Sequence, residues 1–406
     1  MKKLLLTIFL SLAIFFLCGF ESRADNIVIV IDPGHGGENL GAQVGNIVEK
    51  DINLKVATAM YKHLLYYDGI EVYMTHDTDE GLSLKKRAVI AKEYHADYMI
   101  SLHFNASENH NLYGTECWVP FDNFYEETYT MASYFIEELT GVGLYNRGIK
   151  TRLNDDGKNY YGIIRESEAR DIPCLLVEHC HLDNANDEGY YETDARLEEL
   201  GVLDAEALAK YLGLSSKKLG TDYSDYALDV TIPLSENTRD KTGPNECALT
   251  VKEYDKATGK LQMILTAREE DSRLLYYDYS IDGGLTYSER FPMTTESVEF
   301  SLELEDGTIP NLVARAYSLN DAFTESNTIL LDAVEFPKEE DVQTITLTAI
   351  DKEKQAKREK MLAFFVLVMV LVVLCFATII TLYTIKSIQR KKRRKKKHLQ
   401  SRKPLE

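Results

Sequence analysis

Cysteine is scarce: six in 406 residues is too few for a dense disulfide framework. Cys18 and Cys375 fall in apolar segments, leaving Cys117, Cys174, Cys180 and Cys247. With Leu175-Leu176-Val177 extended between them, the Cα atoms of Cys174 and Cys180 stand about 20 Å apart, beyond the about 7 Å that a bridge spans. Free thiols are expected there. The 23 glycines have no three-residue period, which excludes a collagen-like chain, and 45% hydrophobic with 27% charged residues excludes wholesale disorder. No internal repeat is present. Positive charge is missing from the body of the chain. Residues 386–406 hold eleven Lys/Arg against one Glu and residues 1–23 three against one, so the formal −19 becomes −31 over residues 24–385. Such a body repels phosphate backbones, and no nucleic-acid partner is expected. At about 150 residues per domain, the length leaves room for two or three folded units.

Two apolar runs suggest a topology. Met1-Lys2-Lys3 followed by Leu4 to Leu17 has the charged and apolar regions of a secretory signal, and Ser22-Arg23-Ala24 offers a small-x-small cleavage site, so residues 1–24 are read as a signal peptide. Leu17 is too bulky for a usual lipid anchor at Cys18. Residues 361–385, Met361 to Ile385, carry no charge and as a helix reach roughly 37 Å, enough to cross about 30 Å of hydrocarbon. The run Arg390 to Lys397 follows, and positive flanks stay cytoplasmic, so residues 386–406 form a basic cytoplasmic tail and the residues before the span face outward.

Between these runs the pattern changes twice. Over residues 25–214 short apolar runs (27–31, 72–74, 98–102, 173–177) alternate with helical patterns (51–65, 84–94, about 126–139 and 205–212), which predicts an α/β unit with a mostly parallel sheet flanked by helices. Residues 215–240 read as a linker. Strand patterns at 248–251, 261–265, 274–280 and 312–317, with the turn Asp282-Gly283-Gly284, predict a small all-β sandwich-like domain over 241–335. Lys- and Glu-rich residues 336–360 read as a juxtamembrane stalk.

The chemistry lies in the first unit. Ligands of open α/β sheets gather beyond the carboxyl ends of strands. The sequence places Asp32-Pro33-Gly34-His35-Gly36-Gly37, His103-Phe104-Asn105-Ala106 and Glu178 there, with Glu49 ahead of the helix at Asp51 on the same rim. Two imidazoles and one carboxylate suit zinc with an open fourth position, and the remaining carboxylate would be a base. Taken singly, each has a simpler role: His35 as a turn residue, His103 at a capped strand end, Glu49 as a favourable charge at a helix N-terminus, Glu178 as a surface carboxylate. His63 and His95 read as solvated or capping residues. His179-Cys180-His181 offers a chelating pair and a nucleophile, but strand alternation points Cys180 away from both imidazoles.

Residues 26 to about 214 resemble the zinc-dependent N-acetylmuramoyl-L-alanine amidase family of the Asp-Pro-Gly-His-Gly-Gly type. The resemblance rests on Ile31 to Gly37, Val48-Glu49-Lys50-Asp51-Ile52-Asn53-Leu54, Ser101 to Ala106 and Leu176-Val177-Glu178, in the family's order and approximate spacing. Arg147-Gly148-Ile149-Lys150, and Leu82-Ser83-Leu84 ahead of Arg87-Ala88, look like further landmarks. It implies one zinc ion per chain on His35, Glu49 and His103, with Glu178 catalytic in cleaving the amide between N-acetylmuramic acid and L-alanine of peptidoglycan. Two departures stand out: Cys180 and His181 where a Gly and an aromatic are usual, and His76 where an Arg usually follows Thr75. With the topology, this implies a single-pass cell-membrane hydrolase acting on the wall of a Gram-positive bacterium, its catalytic domain extracellular. The rival readings are a catalytically silent peptidoglycan-binding sensor and a zinc peptidase acting within the stem peptide.

Overall fold

The computed structural model describes residues 26–337 and 339–400, with side chains over 26–337 and 352–388. The signal-peptide reading lies outside these residues, as does part of the basic tail. Contacts divide the chain into two units, one running to Asp255 and resuming at Lys260–Ala333, the other comprising Lys256–Gly259 and the chain from Val334 onward.

The first unit begins with the α/β half. Its elements are β1 (Ile27–Pro33), the hairpin β2 (Gln43–Val44) and β3 (Ile47–Val48), α1 (Glu49–Leu64), β4 (Ile70–Met74), α2 (Leu84–Glu93), β5 (Tyr98–Asn105) and β6 (Thr115–Trp118). These are followed by α3 (Tyr125–Gly141), β7 (Asn146–Lys150), α4 (Gly162–Glu168), β8 (Cys174–His181) and α5 (Asp194–Tyr211). Six strands form one sheet in the order β4-β1-β5-β8-β6-β7. All neighbours are parallel except β6 with β8.

Alternation along the strands sorts side chains onto two faces. Ile29, Ile31, Ile100, Leu102, Leu175, Val177 and Cys117 pack with apolar residues of α1, α3 and α5. On the other face Val30, Met99, Leu176 and Trp118 pack with Ala91 of α2 and Ile163 and Ile164 of α4. The two short helices cover only part of that second face. Helix α1 packs on α5 closely enough that a Cβ at Gly201 would run into the Val56 carbonyl and Ala59.

A short hairpin, β9 (Ser215–Ser216) and β10 (Thr221–Asp222), and one turn of helix, α6 (Ser235–Thr238), lead to the β half. Here β11 (Glu246–Asp255), β12 (Lys260–Arg268), β13 (Leu274–Ser280), β14 (Phe291–Pro292), β15 (Ser297–Glu303), β16 (Asn311–Ser318), β17 (Phe323–Glu325) and β18 (Ile329–Leu330) make two antiparallel sheets. One has the order β11-β12-β15 and the other β14-β13-β16-β17, with β18 on β16. Strand β12 alternates strictly, burying Leu261, Met263, Leu265 and Ala267. Between the sheets the Tyr277 and Tyr279 rings each lie 5.2 Å from that of Phe300.

The two halves join at β7, the outermost strand. Tyr113 and Tyr145 pack with Leu275, Tyr276 and Tyr317. Tyr276 Oη donates to the Tyr113 carbonyl at 2.5 Å, and Arg273 donates to the Asn146 carbonyl and, at 3.0 Å, to its side-chain oxygen. A Cβ at Gly148 (φ 94°) would meet Leu319 Cδ1 at 2.7 Å, so this glycine permits the close approach.

The second unit contains α7 (Glu339–Gln400). Its segment Lys352–Ile388 has mean hydropathy 3.2 in its most apolar stretch and is long and apolar enough to cross a membrane. Thr378, Thr381 and Thr384 return their hydroxyls to carbonyls three or four residues back, as hydroxyls do on helices in apolar surroundings.

Candidate active site

The site occupies the uncovered part of the second face. Asp32 lies two residues beyond Val30 on β1, His103 four beyond Met99 on β5, and Glu178 two beyond Leu176 on β8. His103 is the register partner of Glu178, and Glu178 of Glu116 on β6. A row of functional side chains therefore crosses three neighbouring strands on one face.

His35, Glu49 and His103 converge so that one ligand atom of each lies within 4.8 Å of the others. Glu49 Oε2 is 3.0 Å from His35 Nε2, and Glu49 Oε1 is 3.0 Å from His103 Nδ1. The Ala42 amide donates to Oε2 at 2.7 Å, and the Phe104 amide (3.2 Å) and Asn53 Nδ2 (3.3 Å) donate to Oε1. Burial alone would raise the Glu49 carboxyl; the His103 and His35 hydrogen bonds outweigh it and hold the group well below the usual carboxylate range. For His35 burial acts to lower the imidazole, and Glu49 overrides it to give a net rise. A buried carboxylate between two part-exposed imidazoles is the donor set zinc takes with a position left open.

The backbone at this centre is specialised. His35 itself has φ 65°, followed by Gly36 at 125° and Gly37 at 59°, and a side chain held in this region costs of order 1–3 kcal/mol. Surrounding bonds hold it there: His35 Nδ1 is 3.0 Å from Asn39 Oδ1, and Arg87 donates to the His35 and Pro33 carbonyls. A Cβ at Gly34 would run into the His103 ring, and one at Gly41 into the Glu49 carboxylate. Arg87 also donates to Asp32 Oδ1 at 2.8 Å, and Asp32 accepts from Thr75 and Ser101 as well, so a buried ion pair ties β1 to α2 beneath the ligand loop.

Glu178 is 8% exposed, and its Oε2 has no hydrogen-bond partner. Burial, then the negative charges of Glu49 and Glu116, push its carboxyl well above the usual range. In register with His103, this carboxyl lies one strand over from the His35–Glu49–His103 group.

Of the trio that follows, neither imidazole joins the ligand cluster. The β5–β8 register slips, pairing Asn105 with His181, so β8 carries an extra residue where strict alternation was expected. At that bulge His179 lies fully buried, Nδ1 3.0 Å from the His103 carbonyl and Nε2 2.8 Å from Asp204 Oδ2, its ring 5.0 Å from that of Phe104. It steadies the strand carrying His103. Cys180 is buried in the core, where desolvation pushes its thiol up and makes it a poor nucleophile. His181 is buried and, mainly through desolvation and then Arg147, lowered to about 4. Elsewhere, His76 Nδ1 lies 3.0 Å from Thr75 Oγ1, His63 pairs with Glu206 at 2.6 Å, and His95 terminates α2 with φ 56°. Cys117, Cys174, Cys180 and Cys247 are free thiols.

Several positions were not legible as functional. Asn53, i+4 from Glu49, bonds both Glu49 and the Gly34 carbonyl at 3.1 Å; its one-turn spacing from Glu49 was the available signal. Glu116 receives Lys150 at 2.6 Å and Arg147 at 2.9 Å, and Arg147 reaches Asp321 of the β half at 2.7 Å. Nothing local in the sequence signals a partner 174 residues away.

The family model described as N-acetylmuramoyl-L-alanine amidase matches residues 29–210. The chain is 31% identical over 191 residues to the N-acetylmuramoyl-L-alanine amidase CwlM of Bacillus licheniformis, covering 47% of this chain and 70% of that protein. It is 28% identical to the sporulation-specific N-acetylmuramoyl-L-alanine amidase of Bacillus subtilis, over 46% of this chain and 69% of the relative. Among solved structures, an N-acetylmuramoyl-L-alanine amidase from Clostridium difficile is 27% identical, covering 47% of this chain and 98% of its own, with a TM-score of 0.42. The chain belongs to the N-acetylmuramoyl-L-alanine amidase family.

Proposed function

We propose that the protein is a membrane-anchored, zinc-dependent cell-wall hydrolase that cleaves the amide between N-acetylmuramic acid and L-alanine in peptidoglycan. The observation that carries the reading is the partnerless Glu178 oxygen in register with His103, beside a three-ligand cluster. His35, Glu49 and His103 would hold one zinc ion, which when bound supplies Lewis-acid polarisation of the scissile carbonyl. Glu178 Oε2 takes a proton from the attacking water and returns it to the departing alanine nitrogen, which fits a carboxyl raised by its surroundings. Asn53 and the Ala42 and Phe104 amides fix Glu49, and Arg87 fixes the turn that presents His35.

The apolar helix segment Lys352–Ile388 would be the single membrane anchor, with the basic run Arg390–Lys397 on the cytoplasmic side and the catalytic half facing the wall of a Gram-positive cell. Glu178→Gln is expected to lower turnover of purified peptidoglycan by at least about 100-fold while leaving about one zinc per chain. Mass spectrometry of the wild-type digest should show intact stem peptides with a free N-terminal alanine. Fragments cut within the stem would replace the amidase by a peptidase, and binding without products would leave only a sensor.

A further inference from the structure

The row of site residues continues into a cleft of about 510 Å³ that the amidase-matching residues do not build alone. One wall comes from the α/β half: Asn105, two residues beyond His103, together with Glu116, Trp118 and Tyr161. Glu116 pairs directly with Glu178, so the backbone of this wall lies one strand spacing, about 4.8 Å, from that of Glu178. The other wall comes from beyond residue 210: Arg239 and Lys241 of the connecting segment, and Asn320, Asp321 and Ala322 in the turn between β16 and β17.

The charges of this cleft do not balance. Arg147 and Lys150 are matched by Glu116 and Asp321. Arg152, Arg239 and Lys241 also line it, and none has a carboxylate partner among the described residues. Two of the three are already positioned, Arg152 3.7 Å from the Tyr160 ring centre and Arg239 4.8 Å from that of Phe121. In a chain of formal charge −19, three unmatched cations at one cleft mark a site for an anionic ligand. Guanidinium groups suit the planar, two-oxygen geometry of carboxylates. Trp118 and Tyr161, with ring centres 4.9 Å apart, add an apolar surface beside them.

We propose that the connecting segment and the β half complete the substrate site, Arg239 and Lys241 with Arg152 binding the free carboxylates of a peptide that leads away from the scissile amide, and Trp118 and Tyr161 packing along its aliphatic part. This rests on the amidase reading and adds the recognition of an acidic stem peptide by Arg239 and Lys241, outside the family match, together with Arg152 within it. Two residues of extended peptide span about 7 Å, more than the one strand spacing between the backbones of Glu178 and Glu116, so a stem running along this row is carried toward the cleft.

The test uses full-length protein in detergent with saturating zinc and the Glu178→Gln substitution to prevent turnover. The probes are a muramyl-tripeptide with free carboxylates and the same compound with them amidated. Trp118 is the only tryptophan and lines the cleft, so its fluorescence reports binding, with calorimetry as a second readout. The acidic peptide is expected to bind at least tenfold more tightly than the amidated one. Adding R239A and K241A should remove that preference. Equal affinity for both peptides, no loss on substitution, no binding at all, or displacement by a glycerol-phosphate polymer at equal charge would overturn the proposal. Wild-type turnover is measured separately: absence of product sinks the amidase reading, while the binding series still decides the cleft.

Discussion

The His35–Glu49–His103 end of the site and the cleft at β7 are built differently. At the His35 end the ligand groups come from residues 35–103, Glu49 receives three protein N–H donors, and a buried Arg87–Asp32 pair braces the backbone. At the β7 end the side chains come from four separated stretches of chain, and three cations have no carboxylate partner among the described residues. One end is fixed before any ligand arrives; the other keeps charge available for one. On the proposed reading, chemistry that demands tight placement falls to the first and recognition of the remainder of the substrate to the second.

The sharpest way to break this contrast is to remove a ligand at the fixed end. His35→Ala or Glu49→Ala is expected to abolish zinc loading and lower turnover at least about 1,000-fold, measured by metal analysis and product release, with far-ultraviolet circular dichroism retained. Chelation of the wild type should reproduce the loss, and added zinc should restore it.

A smaller effect is expected from the buried brace behind His103. Burial acts to lower His179 and Asp204 overrides it, leaving the imidazole raised above its ordinary value of 6.5. A raised histidine stabilises the fold fully below that ordinary value, and the contribution is lost as pH rises through the elevated value. Asp204→Ala should therefore cost about 3 kcal/mol near pH 6 and less at pH 9, with Asp204→Asn milder at both. A pH-independent penalty in thermal denaturation would show that the pair acts by packing alone.

The smallest effect is expected from Gly148→Ala at the other end. A methyl group there meets Leu319 and takes up a backbone conformation with φ 94°, a cost of about 1–3 kcal/mol. Thermal midpoint should fall by several degrees while zinc content stays at the wild-type level. Loss of zinc in this variant would mean that the ends are mechanically coupled rather than separately built.

The parts legible in the sequence are those whose signal is local. Strands β1, β5 and β8 are apolar because the sheet is covered on both faces, and α1, α2 and α3 have helical periods close to their observed bounds. Strands β6 and β7 gave no such signal. In β7 the residues Arg147 and Lys150 read as polar, yet their side chains are buried, because Glu116 and Asp321 neutralise them from other parts of the chain. Helix α4 has only seven residues, too short for a periodicity, and α5 begins eleven residues before the pattern at Ala205. Strand β15 was missed as well. At the site, His35, Glu49, His103 and Glu178 each sit beside a strand end or helix start that the sequence marks. Arg87, Asp204 and Glu116 act through partners that only the folded chain brings near, as does Asn53 in its bond to the Gly34 carbonyl.

The placement of the β half against β7 has a further consequence. An outermost strand normally leaves a row of backbone groups free to pair with another chain. Here Arg273 takes the Asn146 carbonyl and the Thr238 carbonyl takes the Thr151 amide at 3.2 Å, while Tyr276 and Leu275 cover the tyrosines beside it. A fragment ending before the connecting segment would bare this edge and its aromatic patch together, and would be prone to self-association through the side of the sheet remote from His35, Glu49 and His103.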